Sequence, residues 1–424
     1  MATILLNNRS VSDLSISFLE RLGLSSNESN VSSGDQTSFV ENDKTSYFAM
    51  KELVSDLGSD DPTSDVKSLS DTSVLFETNM FNSENQSGYI KATFTGSKFK
   101  DKSQAAVTGF KFSWPLTNYK SDAKTSSEIT SLENQSGALK LSFKASELAT
   151  GTGSLTLTEQ KNTVTGFDYQ SVDGVKVKAN FVVTGTGVGN TIVEPSGAIS
   201  GLLTSFASST KSDWENGTKY TDSMSFKSSV GLTYNEKDAW NGNVNSLNFS
   251  QAYTTKDYKN SLSFSDKSSN NLIATAISNF AAGTATVNDV SAALLSGKDK
   301  ITMSGNEVLA NGYEGNDEIT CGKGNDTVAF STALDISTNI DKITGFKKSG
   351  TDRIALDKTV FIGADASNSF VVGTVAASAD QRIIYNKTTG ALSYDADGAG
   401  SGVAIQFATI VGKVDVTASD VIFF

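Results

Sequence analysis

Apolar and polar residues follow three successive rhythms along the chain, and each predicts a different kind of element. In residues 1–66 apolar positions recur every three or four residues: Leu14, Phe18 and Leu22 in "SDLSISFLERLGL", then Tyr47, Met50, Val54 and Leu57 in "TSYFAMKELVSDLG". Ser12 and Gly23 bound the first helix predicted this way, and Thr45 or Ser46 with Gly58 the second. The expectation is a small helical segment packed on a β-domain, with a surface anchor as the alternative. From about residue 67 the period becomes two. "GYIKATFTG", "GALKLSFKA", "GSLTLTEQ", "GVKVKANFVV" and "DSMSFKSSVGLTY" alternate apolar with polar residues between Gly-, Asn-, Asp- and Ser-rich breaks, which predicts half-buried strands. "ENQSG" occurs at 84–88 and again at 133–137, each time followed by strand-like sequence and a "VTGF", so a duplicated β-unit is expected within 67–290. Either a β-sandwich or an irregular β-solenoid accommodates it. "NNLIATAISNFAAG" and "VNDVSAALLSG" then predict short helical or connecting segments.

The third rhythm is a repeat of nine. In "GNDEITCGKGNDT", Gly315 and Gly324, Asp317 and Asp326, and Ile319 and Val328 are each nine positions apart. A glycine, an acid two residues later and an aliphatic residue two beyond that form the pattern of a calcium-binding parallel β-roll. Glycine permits the turn, the carboxylate offers hard anionic oxygen, and the aliphatic side chain opens a short strand pointing into the coil. Two such units complete one revolution, so units that stack lie 18 residues apart. Gly297, Asp299 and Ile301 stand 18 positions before Gly315, Asp317 and Ile319, and Asp299 and Asp317 are expected to face one another across one Ca2+. Between them "SGNEVL" offers Gly305, Glu307 and Leu309 out of register, a degenerate unit beneath Asp326. The candidate metal residues are therefore Gly297, Asp299, Glu307, Gly315, Asp317, Gly324 and Asp326.

Composition narrows the functional classes. The 424 residues carry a net charge of -12, which argues against nucleic acid and favours divalent cations. The single cysteine, Cys321, reads as a small residue of the repeat rather than a nucleophile. The opening "MATILLNNRSVSDLS" lacks the basic and long apolar stretches of a secretory signal peptide, and no apolar run approaches the roughly 20 residues of a membrane helix. "DADGAGSG", residues 395–402, lies between two strand-like runs and is expected to be a hairpin connection rather than a calcium loop.

From Gly322 onward, "GKGNDTVAFSTALDISTNIDKITGFKKSGTDRIALDKTVF", with the later "QRIIYNKTTGALSYDADGAGSGVAIQFATIVGKVDVTASDVIFF", resembles the C-terminal region of RTX proteins, the calcium-binding repeat proteins exported by bacterial type I secretion. The resemblance covers about residues 292–424. It implies a calcium-binding parallel β-roll with a β-rich cap in residues 291–424, an export signal ending in "DVIFF", and Asp341 and Asp352 closing the end of the roll. The expected fold is thus mainly β in three parts: the helical segment 1–66, the β-rich domain 67–290 and the roll 291–424.

What residues 1–290 do must be read separately. The chain has no histidine, which excludes zinc proteases built on His-Glu-x-x-His and serine hydrolases with a His base. Its only arginines, Arg9, Arg21, Arg353 and Arg382, lie outside the β-region, which removes arginine-based polysaccharide lyases. A carboxylate-only glycosidase survives, yet nothing marks a pair among Asp168, Asp213, Asp238 and the other acids. Trp114, Trp214 and Trp240 read as packing residues before sugar platforms. The profile, acidic, Ser/Thr-rich and poor in proline, resembles bacterial S-layer proteins. The expectation is a non-enzymatic, secreted structural protein on or outside the bacterial cell, forming a homo-oligomeric lattice or filament. Its partners would be the type I secretion machinery and, further, cell-surface polysaccharide or lipopolysaccharide. A monomeric adhesin or carbohydrate-binding protein is the alternative.

Overall fold

The computed structural model describes residues 2–10, 13, 66–79, 86–87, 89–100, 106–120, 129–144, 154–172, 175–194, 196, 198–235, 241–267 and 271–424. The chain is mainly β. The strands begin with β1 (Thr3–Asn7), β2 (Val66–Leu69), β3 (Ser73–Asn79), β4 (Gln86–Ser87) and β5 (Tyr89–Ser97). Long strands follow: β6 (Ala106–Lys120), β7 (Ile129–Lys144), β8 (Leu155–Val172), β9 (Val175–Val193), β10 (Ile199–Trp214) and β11 (Lys219–Asn235), then β12 (Asn241–Gly242), β13 (Ser246–Thr254) and β14 (Lys259–Asp266). Helices α1 (Leu272–Ala281) and α2 (Val287–Leu294) lead to the last part, where Thr286 and Asp289 close α2 with a reciprocal capping box. There the strands are short: β15 (Lys300–Ser304), β16 (Leu309–Asn311), β17 (Glu318–Thr320), β18 (Thr327–Phe330), β19 (Asp341–Thr344), β20 (Arg353–Leu356), β21 (Phe370–Val372), β22 (Ile383–Asn386), β23 (Ala391–Tyr394), β24 (Ile405–Ile410) and β25 (Val421–Phe423).

The pairings give one unbroken lateral order: β2, β3, β5, β6, β7, β8, β9, β10, β11, β13, β14, β1, β15, β17, β19, β24, β23, β22, β21. From β2 to β1 every pair is antiparallel, a meander in one sheet rather than the two facing sheets of a sandwich or the coils of a solenoid. The reason lies in strand length. β8 and β9, of 18 and 19 residues, run roughly 60 Å each and expose enough backbone to pair fully with both neighbours. Part of this sheet stays uncovered: Val182 and Val188 on one face of β9 are 40% and 43% exposed, and nothing comes within 4 Å of where a Cβ at Gly185 or Gly187 would stand on the other. The sequence echo does not mark equivalent units. Gln135 of the second "ENQSG" opposes Val164 of the second "VTGF", whereas Val107 of the first opposes Gly96.

Beyond β1 all pairing is parallel until β24. The chain alternates between two sheets: β15, β17 and β19 extend the large sheet, while β16, β18, β20 and β25 form a separate parallel sheet. Ile301, Ile319 and Ile343 stack in register from the first, Ala310, Val328, Ile354 and Val421 from the second, all at most 4% exposed. The aliphatic residues Ile301, Ile319 and Val328 therefore point into the coil, as their sequence positions predict, whereas Leu309 of the degenerate unit is 46% exposed and Ala310 takes the inward place. At the far end Phe407 packs edge-on against Phe330 and Phe361, with ring centroids 5.0 Å apart in each pair.

The first described residues form a strand, not part of a helical segment. Ala2, Ile4 and Leu6 are at most 1% exposed, while Thr3 and Leu5 face outward. The run Ile4, Leu5, Leu6 conceals this period of two in the sequence. β1 is antiparallel to β14 and parallel to β15, and Ile4 meets Phe264 on one side and Ile301 on the other. The helices expected around Leu14–Leu22 and Tyr47–Leu57 lie outside the described residues. At Asp13, which is helical, Ser10 donates its backbone N–H and its hydroxyl to Asp13 Oδ2 at 2.6 and 2.9 Å, and Ser12 lies outside the described residues.

Because β1 is shared by both halves of the large sheet, truncating it weakens both. Ile4→Ala is expected to cost about 2–5 kcal/mol in urea unfolding. It should also speed amide exchange in β14 and in β15 together; faster exchange in one strand alone would contradict a shared rung.

Candidate metal centre

Four short strands of the coil, β15, β17, β18 and β20, are preceded by the same local device. Gly297, Gly315, Gly324 and Gly350 have positive φ, and two residues after each stands Asp299, Asp317, Asp326 or Asp352. At Gly315 and Gly324 the glycine is required twice over. Besides the backbone angle, a Cβ would lie 2.0 Å from the Gly297 carbonyl oxygen or 2.2 Å from that of Asn306, the turn one coil below. The tight turn swings each aspartate inward, so that its side chain is buried beside the apolar stack.

The aspartates form two columns. In the first, Asp299 Oδ1 accepts the Ala2 N–H at 2.5 Å, Asp317 Oδ1 accepts the Asp299 N–H at 2.7 Å, and Asp341 Oδ1 accepts the Asp317 N–H at 3.0 Å. In the second, Asp352 Oδ1 accepts the Asp326 N–H at 2.9 Å, while Asp326 Oδ2 and Asp352 Oδ2 accept from Gly322 at 2.8 Å and Lys347 at 2.6 Å. All five are at most 2% exposed. Ala2 thus occupies in β1 the place an aspartate takes in the rungs above it.

These bonds leave oxygens over. Asp299 Oδ2, Asp317 Oδ2 and Asp326 Oδ1 are buried and accept no hydrogen bond. Gly312 passes so close to Asp317 Oδ2 that a Cβ there would sit 2.1 Å away. Burial raises the carboxyl pKa of Asp317, with the neighbouring Asp341 charge adding to it, to about 9. Burial likewise brings Asp341 to about 7 and Asp299 to about 6, and pushes Asp326 upward. Adjacent rungs lie about 5 Å apart, and two ionised carboxylates at that separation repel by roughly 3 kcal/mol at an effective dielectric constant near 20. The columns are stable only if protonated or supplied with positive charge.

Buried, partnerless carboxylate oxygens are the donor chemistry of a hard divalent cation, and the residues fit calcium to that extent. Gly297, Asp299, Gly315 and Asp317 come together in the first column, and Gly324 and Asp326 in the second. Asp317 does not face Asp299 across a gap, however; its Oδ1 is bonded to the Asp299 backbone. Glu307 is not brought into either column. It is exposed, and Val308 stands under Asp326, since Leu309 pairs with Thr327. Among the described residues no three acidic or thiol groups converge on one point, so any ion would draw on backbone carbonyls and water beside at most two carboxylates. Asp341 and Asp352 belong to the columns as full members. "NIDKI" and "GTDRI" keep the acid and the aliphatic residue two beyond it, but loops widen the offsets from 18 to 24 and 26, which hides them from a fixed-period search.

The other sequence candidates fall elsewhere. Cys321 is buried, and burial, reinforced by Asp352 and Asp326, pushes its thiol pKa far up, which suits a packing residue. Asp213 is ion-paired with Lys211 and Lys219 at 3.3 and 3.4 Å. "DADGAGSG" joins β23 to its antiparallel neighbour β24, and Asp397 Oδ2 accepts the Gly402 N–H at 3.0 Å. No family model matches the chain, and no curated protein or solved structure shows significant similarity to it.

A carboxyl with a native pKa above its unfolded value holds its proton more tightly when folded. Its stabilisation is complete below the unfolded pKa near 4 and is lost as pH rises through the native value. In chelator, the urea midpoint is therefore expected to fall between pH 5 and 9 as Asp299, Asp341 and Asp317 ionise. Asp317→Asn should flatten the upper part of that slope; an identical slope in the variant would refute the assignment.

Proposed function

We propose that the chain is a calcium-binding structural protein that folds and self-assembles outside a bacterial cell, as a subunit of a surface lattice or matrix filament. The observation that carries this reading is the pair of aspartate columns, five buried carboxylates with three partnerless oxygens inside a parallel coil. Calcium, when bound, supplies the positive charge and the oxygen coordination that such columns lack. Asp299 and Asp317 would hold it in one column and Asp326 and Asp352 in the other. In a calcium-poor cytosol the carboxylates repel and the glycine-rich turns are entropically costly, so the coil opposes its own folding; binding and folding then become one event. That coupling agrees with the resemblance of residues 292–424 to proteins exported through type I machinery.

Two further features favour a structural role over catalysis. The sequence has no histidine, and its acids in the meander carry no marked pair. Among the described residues the large sheet ends laterally in β2 and β21, each paired on one side, and edges of this kind can accept further strands. At a net charge of -12, identical subunits repel, so contacts between them need divalent bridging as well.

The test is electron microscopy with light scattering on purified protein. Calcium at about 1 mM, the range of extracellular modules, should convert soluble subunits to ordered sheets or filaments, and a chelator should reverse it. Sodium chloride at equal ionic strength should do neither, because it screens charge without filling an oxygen cage. Asp317→Ala should move the calcium-induced gain of β-signal to higher concentration. A protein that binds calcium, folds and stays monomeric would overturn the assembly reading and leave the adhesin.

A further inference from the structure

We infer that the place β1 fills between β14 and β15 is a strand-exchange site, and that in the assembled protein it is filled by β1 of a second copy of this chain. This rests on the assembling function proposed above and names the contact that would build it.

The slot is specific in backbone and in side chains. β1 bonds to β14 in antiparallel register, Ile4 opposite Phe264 and Leu6 opposite Leu262, and to β15 in parallel register, with Ile4 beside Ile301 and Leu6 beside Met303. All six side chains are at most 2% exposed. With β1 withdrawn, an apolar trough opens between two unpaired strand edges, one antiparallel and one parallel, in the middle of the sheet. Such a trough demands an occupant, and the register accepts a strand of the sequence Ala2–Asn7. The base of the first aspartate column also loses its partner, because Asp299 Oδ1 accepts the Ala2 N–H.

Nothing in that geometry requires the strand to come from the same chain. Residues 14–65 stand between β1 with its flanking turn and β2, a stretch of 52 residues with a contour of roughly 170 Å. Fully extended, that is nearly three times the roughly 60 Å of the longest strands, so β1 can reach a neighbour. Residues 2–13, β1 with its flanking turn, carry one cation and one acid, Arg9 and Asp13, paired at 3.5 Å, whereas the chain as a whole is at -12, so this neutral segment is one an acidic neighbour repels little. Exchange of an identical element uses contacts already optimised within the chain and is a low-cost route to an oligomer. Giving β1 to one neighbour while taking it from another is a head-to-tail contact, which closes into a ring or continues as a filament.

Leu5 and Ser263 lie directly opposite in the antiparallel pair, within the Cα separation that a disulfide spans. In a Cys321→Ser background, Leu5→Cys and Ser263→Cys chains are prepared separately in chelator, mixed in equal amounts, given calcium and mildly oxidised. The expected result is a disulfide joining one chain of each kind, absent from the mixture kept in chelator, and a covalent ladder from the doubly substituted chain after assembly. If scattering shows assembly but the mixture yields no such disulfide, and the doubly substituted chain closes only on itself, exchange is overturned and the assembly reading stands. If the Cys321→Ser parent remains monomeric in calcium, both are overturned.

Discussion

A carboxylate taken out of water must be protonated, hydrogen-bonded or bridged by a cation, and the last third of this chain is built around five that have been. Each rung of the coil contributes one backbone N–H toward the carboxylate of the rung above it, which meets the need of one oxygen. The second oxygen is left over at Asp299, Asp317 and Asp326, and the repulsion between rungs grows with every coil added. The apolar stack of Ile301, Ile319 and Ile343 therefore cannot set the stability of the coil by itself. The same turns that bring these isoleucines inward bring the acids with them. Hydrophobic burial and charge burial are coupled by the two-residue spacing in the sequence, and solvent conditions decide which dominates.

The coil is short, and it is not free-standing. Its first rung is β1, which lies beside β15 as another turn of the coil would, with Ala2 in the aspartate position and Asn8 Oδ1 accepting the Asn306 N–H at 2.8 Å. On its other side β1 meets β14 as an ordinary antiparallel strand. One five-residue segment thus carries an antiparallel ladder on one edge and a parallel ladder on the other. At the opposite end β24 accepts β19 in parallel and β23 antiparallel, so the same kind of conversion closes the coil. Lys347 ties this end together, its Nζ 3.0 and 2.8 Å from the two oxygens of buried Asp420, just before β25.

The sequence made the coil legible because its chemistry is periodic: a positive-φ glycine, an acid and an aliphatic residue each have one place to go. It made the meander legible as strands through their alternation, but not as one sheet, since alternation says which face is buried and nothing about which strand lies opposite. Glu307 looked like a ligand by type, and the register that puts Val308 under Asp326 depends on where the strand begins, a matter of one residue. Asp341 and Asp352 were obscured by loops of different length, to which stacking is indifferent. β1 was the hardest to read. Five residues with three consecutive apolar positions carry too little pattern to announce a strand, and its partners lie some 260 and 300 positions away in the sequence.

The unbroken lateral order from β2 to β21 also defines how the molecule would bear a load. A pull across the sheet separates hydrogen bonds one pair at a time, and the short strands at the coil end would open first. A pull along β1 loads its bonds to β14 and β15 simultaneously, in shear, on both flanks. The strand that joins the two architectures therefore resists a pull along its axis through ten register pairs that break together rather than in sequence.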